Sequence, residues 1–72
     1  MQKIVIAIQE EPVRLDHLLK EAGIAMTGGQ AGQLIKQGLV TLNKQTVTEK
    51  RKKIYLKDEV IFDNEYLLEL KA

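Results

Sequence analysis

Residues 27–48 read TGGQAGQLIKQGLVTLNKQTVT, and this stretch decides the fold. Its first half predicts a helix, because Thr27 and Gln30 have the spacing of a T-x-x-Q capping box. Gly38 is expected to end that helix as a left-handed cap. After Gly38 the apolar period changes to two, which predicts two strands joined by a turn at Asn43-Lys44.

The predicted helix has an unusual start. Met26 and Ala31 have the spacing of a hydrophobic staple. Gly28, Gly29 and Gly32 weaken the helix, since an interior glycine costs about 0.5–1 kcal/mol relative to alanine. A helix with these residues indicates that bare backbone is needed there, either for a phosphate group or for the close packing of two helices.

The residues before this stretch predict one strand and one further helix. Ile4 to Ile8 is a β-branched run, which Pro12 terminates before the helix begins. An apolar stripe with helical spacing follows, formed by Leu15, Leu18, Leu19 and Ala22. The polar residues between them, including Asp16 and His17, are expected to point away from the core, and Gly23 is expected to stop the helix.

The residues after the stretch predict short strands. They are Ile54 to Leu56, Val60 to Phe62 and Tyr66 to Leu70, with turns at Lys57-Asp58 and Asp63-Asn64. The order of elements predicts an α+β domain in which two short helices pack on a small, mostly antiparallel sheet of about four to five strands. We expect one domain spanning residues 1–72.

The composition excludes several classes of protein. The chain has 72 residues and no cysteine, so disulfides and cysteine-based zinc sites are excluded. The apolar run from Ile4 to Ile8 is too short for a membrane span and lacks a cleavage pattern, so we expect a cytoplasmic protein that does not bind membranes. His17 is the only histidine and has no second ligand in register, which predicts neither a metal site nor a cofactor. We expect a monomer.

The charge is segregated along the chain. Residues 22–57 contain seven basic residues and one acidic residue, a local charge of +6, whereas the rest of the chain has a charge of −5. The net charge of +1 therefore conceals a basic region, which includes the run Lys50-Arg51-Lys52-Lys53.

This basic region has the residues that phosphate binding requires. The turn from Thr27 to Gln30 offers free N–H groups at the positive end of a helix dipole. Lys36 follows on the helix, Lys44 lies at the hairpin tip, and the run 50–53 follows the hairpin. Four consecutive cations repel one another, and a polyanion would neutralise them. Alternatively, lysines at a sheet edge protect against aggregation, and then they need no ligand.

Aromatic residues are scarce: Tyr55, Phe62 and Tyr66. We expect Phe62 in the core and Tyr55 packed on a neighbouring strand, although Tyr55 could stack on a base. The lack of a stacking platform favours recognition of a duplex or folded RNA by shape and phosphate contacts.

The segment from Arg14 to about Phe62 resembles the S-four RNA-binding domain family, whose fold is the αL motif. The matching residues are Arg14-Leu15-Asp16, Gly23, Thr27, Ala31, Leu34-Ile35, Gly38, Val40, Leu42-Asn43, Asp58 and Val60. With a further strand before and after this core of residues 14–62, the layout is similar to that of the short stand-alone YaaA/YbcJ-like members.

The resemblance implies a non-catalytic module that docks on structured RNA, either ribosomal or transfer RNA, and that has no enzymatic activity. It implies that the RNA-binding residues are Arg14, Thr27, Gly28, Gly29, Gln30, Gln33, Lys36, Lys44, Lys50, Arg51, Lys52 and Lys53. Two alternatives use the same basic surface: binding to DNA, and a protein-interaction adaptor on the ribosome or on a replication or repair complex.

Overall fold

A computed structural model describes residues 1–72 as two helices and seven strands. The helices are α1 (Leu15–Glu21) and α2 (Gly28–Lys36). The strands are β1 (Gln2–Ala7), β2 (Val13–Arg14), β3 (Val40–Leu42), β4 (Gln45–Val47), β5 (Lys53–Ile54), β6 (Val60–Phe62) and β7 (Tyr66–Lys71). None of the helices has the length and apolar character needed to cross a lipid bilayer.

Five strands form one sheet in the order β1-β7-β6-β3-β4. Only β1 and β7 are parallel, and the other neighbours are antiparallel. The prediction of an α+β domain with a small, mostly antiparallel sheet is therefore confirmed. The turns at Asn43-Lys44 and Asp63-Asn64 are also confirmed, since all four residues have φ between 52° and 71°. Positive φ at both central residues is what a two-residue type I′ hairpin loop requires.

The prediction that a strand runs from Ile54 to Leu56 was wrong in extent. The strand β5 ends at Ile54 and pairs with β2 in a separate two-stranded sheet, with Val13 opposite Ile54. A turn begins at Tyr55, because the N–H of Asp58 donates to the carbonyl oxygen of Tyr55 at 3.0 Å. The strand β2 has only two residues, too few for a period of two to be recognisable in the sequence.

The start of α2 combines a confirmed and a wrong prediction. The N–H of Gln30 donates to Thr27 Oγ1 at 3.0 Å, as in a capping box. The Gln30 side chain, however, accepts from the N–H of Met26 at 2.7 Å, one residue before the cap. Met26 itself is 87% exposed, so there is no hydrophobic staple to the buried Ala31. Gly38 has φ of +77° and ends the helix as predicted.

The core lies between the helix pair and one face of the sheet. Leu15, Leu18 and Leu19 of α1 are fully buried, which confirms the apolar stripe. The other buried apolar residues are Ile6, Ala25, Ala31, Ile35, Val40, Ile54, Val60, Leu68 and Leu70. Phe62 is only half-buried and packs against this core. The small set is consistent with the modest stability expected of a domain of this size.

Candidate nucleic-acid interface

The backbone of the basic segment, residues Lys50–Lys53, is attached to the start of α1. The N–H of Asp16 donates to the carbonyl oxygen of Lys50 at 3.0 Å, and that of Leu15 donates to Lys52 at 2.9 Å. The first N–H groups of a helix lack partners within it, and no side chain caps α1. The carbonyl groups of the basic segment therefore cap α1, while all four of its side chains are exposed.

Asp16 lies at this junction and was wrongly predicted to point away from the core. It is 3% exposed, and its carboxylate forms two hydrogen bonds with Arg14: Nε to Oδ1 at 3.1 Å and Nη2 to Oδ2 at 2.6 Å. The N–H of His17 donates to Oδ1 at 2.9 Å. An isolated buried carboxylate would be costly, so the guanidinium and the backbone together keep it in place.

Burial alone raises the pKa of Asp16, but the hydrogen bonds from Arg14 and from the N–H of His17, together with the positive charge of Arg14, lower the pKa below its ordinary value. A lowered pKa means that the ionised carboxylate stabilises the fold. This contribution is complete above the unfolded-state pKa, about 3.9, and disappears as the pH falls through the lower folded-state value.

We therefore expect Asp16→Asn to lower the free energy of unfolding by about 1–3 kcal/mol near neutral pH, because it weakens a buried charge-assisted pair. The difference from the wild type should shrink as the pH falls below about 4, because the carboxylate takes up a proton first in the unfolded chain and in the folded protein only at a lower pH. Urea denaturation across an acid pH series measures this difference in the free energy of unfolding. The control is Glu69→Gln, an exposed carboxylate 3.8 Å from Lys3, which should have little effect. A difference independent of pH would contradict the role assigned to the Asp16 charge.

Next to the basic segment lies an open groove of about 270 Å³ along α2. We call it the α2 groove, and its lining residues are Gly28, Gly29, Gly32, Gln33, Lys36, Thr48 and Lys50. They include two lysines, no carboxylate and no apolar side chain. Such a lining favours an anionic ligand.

The N–H groups of Gly28 and Gly29 have no acceptor within the protein. They are the first two of α2, at the positive end of its dipole. A Cβ at Gly28 would meet nothing within 4 Å, and one at Gly29 would meet only Thr27 Oγ1 at 3.9 Å. Packing therefore does not require glycine at these positions. Without side chains there, an anion can approach the two N–H groups directly.

Gly32 is bare for a different reason. A Cβ at this position would lie 3.3 Å from Cδ of Lys50, so the aliphatic part of that lysine lies over the helix backbone. Neither close helix packing nor ligand access alone explains this glycine. It lets the basic segment approach α2 and places the Lys50 side chain along the α2 groove.

The other three residues of the basic segment line a second open groove, of about 410 Å³. We call it the Tyr55 groove, and its lining residues are Leu42, Glu49, Arg51, Lys52, Lys53, Tyr55 and Asp58. The predicted packing of Tyr55 on a neighbouring strand was wrong, since Tyr55 is 46% exposed. The turn that begins at Tyr55 removes it from β5 and leaves its ring at the surface.

Eight of the predicted binding residues line these two grooves. Five line the α2 groove and three the Tyr55 groove: Gly28, Gly29, Gln33, Lys36 and Lys50, then Arg51, Lys52 and Lys53. Four lie outside both. Thr27 and Gln30 cap α2, Arg14 pairs with Asp16, and Lys44 occupies the hairpin tip.

The predicted binding residues did not include Gly32, Thr48 or Tyr55, although the sequence had marked Gly32 as a site of bare backbone and Tyr55 as a residue that could stack on a base. Helical spacing could have identified Gly32, because Gly28, Gly32 and Lys36 follow one another at intervals of four residues. No local signal placed Thr48 or Tyr55 in a groove, since their positions depend on how the loop folds back on α1.

Comparison with solved structures gives the class of the fold. The solution structure of YbcJ from E. coli, described as revealing an αL motif involved in RNA-binding, is 28% identical and has a TM-score of 0.69. The match covers 96% of this chain and 87% of YbcJ. A pseudouridylate synthase structure is 34% identical over 79% of this chain, with a TM-score of 0.70. The chain spans only 24% of that enzyme's length. No curated protein matches the chain.

A family model described as the S4 domain matches residues 6–68. The chain belongs to this family, which is the S-four family identified from the sequence. The matched range includes both helices, the β3–β4 hairpin and the basic segment, and it ends within β7.

Proposed function

We propose that this protein is a non-catalytic module that binds structured RNA, either ribosomal or transfer RNA, through the α2 groove and the basic segment. The observation that supports this most strongly is the composition of the α2 groove. Two free backbone N–H groups and two lysines line one concave surface that has no carboxylate. A phosphate group would find hydrogen-bond donors and positive charge there without repulsion.

The basic segment extends this surface. Lys50 faces the α2 groove and Arg51, Lys52 and Lys53 line the Tyr55 groove, so the phosphates of an RNA backbone could pass from one to the other. Arg14 flanks the segment with a side chain that is 43% exposed and retains N–H groups beyond those bound to Asp16. Thr27 and Gln30 contribute by fixing the start of α2, and Lys44 extends the positive surface at the hairpin tip.

Membership of the S4 domain family and the likeness to YbcJ favour RNA over DNA and over a protein partner. The likeness to a quarter of a pseudouridylate synthase supports a module rather than an enzyme.

The test is a fluorescence anisotropy titration of labelled transfer RNA, a folded ribosomal RNA fragment and duplex DNA, over a salt series. We expect tighter binding to the RNAs. If about four to six phosphates are neutralised, log K should fall with log salt at a slope of roughly −3 to −5. Equal binding to duplex DNA would favour the DNA-binding alternative. No binding to any of them at low salt would contradict the proposal and favour a protein partner.

A further inference from the structure

The Tyr55 groove differs chemically from the α2 groove. One side of it presents the half-exposed ring of Tyr55 and the half-buried Leu42. An exposed aromatic ring offers a flat apolar surface, and stacking another flat group on it is energetically favourable. The α2 groove offers no such surface.

The charges in the Tyr55 groove are of both signs. Arg51, Lys52 and Lys53 line it together with Glu49 and Asp58. The two carboxylates repel a phosphate inside the groove, but they accept hydrogen bonds from amino groups. The three cations can hold phosphates at its rim. This combination suits a flat ligand that has an amino group and is attached to phosphates.

The aromatic surface is also held in place. Asp58 Oδ2 accepts from the N–H of Tyr55 at 2.8 Å, and Asp58 Oδ1 accepts from Asn43 Nδ2 at 3.1 Å. The N–H of Asp58 donates back to the carbonyl oxygen of Tyr55. The turn therefore fixes the backbone of Tyr55 before any ligand arrives, which reduces the entropy lost on binding. Each Asp58 oxygen keeps a further lone pair for an incoming donor.

We propose that the Tyr55 groove binds one unpaired nucleobase of the RNA, stacked on the Tyr55 ring with its amino group directed at Asp58 or Glu49. This inference rests on the proposed function, and it specifies which RNA structures the protein prefers. The favoured RNA has a bulged or looped adenine, cytosine or guanine next to a duplex whose phosphates contact the basic segment. Uracil, which has no amino group, binds less well.

The test compares Tyr55→Ala, Tyr55→Leu and Tyr55→Phe on two RNA hairpins that share a loop of uridines only and that differ in one bulged adenine. On the bulged hairpin, Tyr55→Ala and Tyr55→Leu should weaken binding by roughly 5- to 100-fold, the range for losing one base–aromatic stack. Tyr55→Phe keeps the ring and should bind like the wild type. On the uninterrupted hairpin all three variants should bind like the wild type. Tyr55→Leu retains a bulky apolar side chain but has no ring. A loss of affinity in this variant therefore reports the loss of stacking rather than a loss of folding.

Two outcomes would overturn the nucleobase site while leaving the RNA-binding function in place. One is wild-type affinity of Tyr55→Ala and Tyr55→Leu for the bulged hairpin. The other is an equal loss on both hairpins, which would mean that Tyr55 contacts the duplex. If the wild-type protein binds neither hairpin at low salt, the proposed function itself fails, and the nucleobase site fails with it. Replacing the bulged adenine with uracil should weaken wild-type binding, and an unchanged affinity would contradict the role of the carboxylates.

Discussion

Replacing Lys50, Arg51, Lys52 and Lys53 together with glutamine is expected to weaken binding to structured RNA by about 100-fold or more near 0.1 M salt. Each neutralised phosphate contributes about 0.7–0.9 logarithmic units of affinity at that salt concentration. The fold should remain intact, because the four side chains are exposed and the segment caps α1 through its backbone carbonyl groups. Anisotropy titrations measure the affinity, and thermal melting followed by circular dichroism checks the fold.

The chain offers a matched control for this variant. Apart from Lys44, which belongs to the proposed surface, four exposed lysines lie outside both grooves: Lys3, Lys20, Lys57 and Lys71. Replacing these with glutamine changes the net charge from +1 to −3, as does replacing the basic segment. We expect the control to lose much less affinity, because none of its four lysines lines either groove, and only Lys57, in the turn between Tyr55 and Asp58, is a neighbour of lining residues in the sequence. Equal losses would mean that only net charge matters, which would contradict a localised site.

The second large effect is expected from Ile54→Ala, which removes the apolar anchor of the basic segment. Ile54 is fully buried, whereas the residues of the segment before it are exposed. Truncating a buried isoleucine costs about 2–5 kcal/mol, and a core of this size supplies roughly 3–5 kcal/mol in total. The variant should therefore be largely unfolded and should lose RNA binding with its fold. Urea denaturation followed by circular dichroism measures the change.

Ile54→Val is the matched control, since it removes a single methyl group and should cost about 0.5–1.5 kcal/mol. It should fold and bind RNA like the wild type. If Ile54→Ala were destabilised by less than about 1 kcal/mol, the segment would not depend on the core for its position.

Local signals predicted most of the elements. The type I′ turn at Asn43-Lys44, the left-handed Gly38 and the leucine stripe of α1 depend on a few consecutive residues each, so sequence pattern alone identified them. The pairing of β2 with β5 depends on contacts between residues about forty positions apart and leaves no local pattern. Asp16 was missed for the same reason, because its burial follows from the basic segment folding over the start of α1.

The candidate site likewise has features that local sequence predicts and features that depend on long-range contacts. The free N–H groups at Gly28 and Gly29 and the charges of the basic segment were predicted from the sequence, since they need only a helix start and a run of cations. That Lys50 lies over Gly32, and that the segment separates two grooves of different chemistry, could not be predicted. Both depend on the hydrogen bonds from Leu15 and Asp16 to the segment.

The most direct test of the central claim is an NMR titration of the isotope-labelled protein with a structured RNA, followed by the backbone amide signals. The claim is that RNA binds to the surface formed by the start of α2 and the basic segment. We predict that the largest shifts occur at Gly28, Gly29 and residues 50–53, and that the β1 amides on the far edge of the sheet hardly change. Shifts concentrated on β1 and β7, with none at the start of α2, would contradict the account.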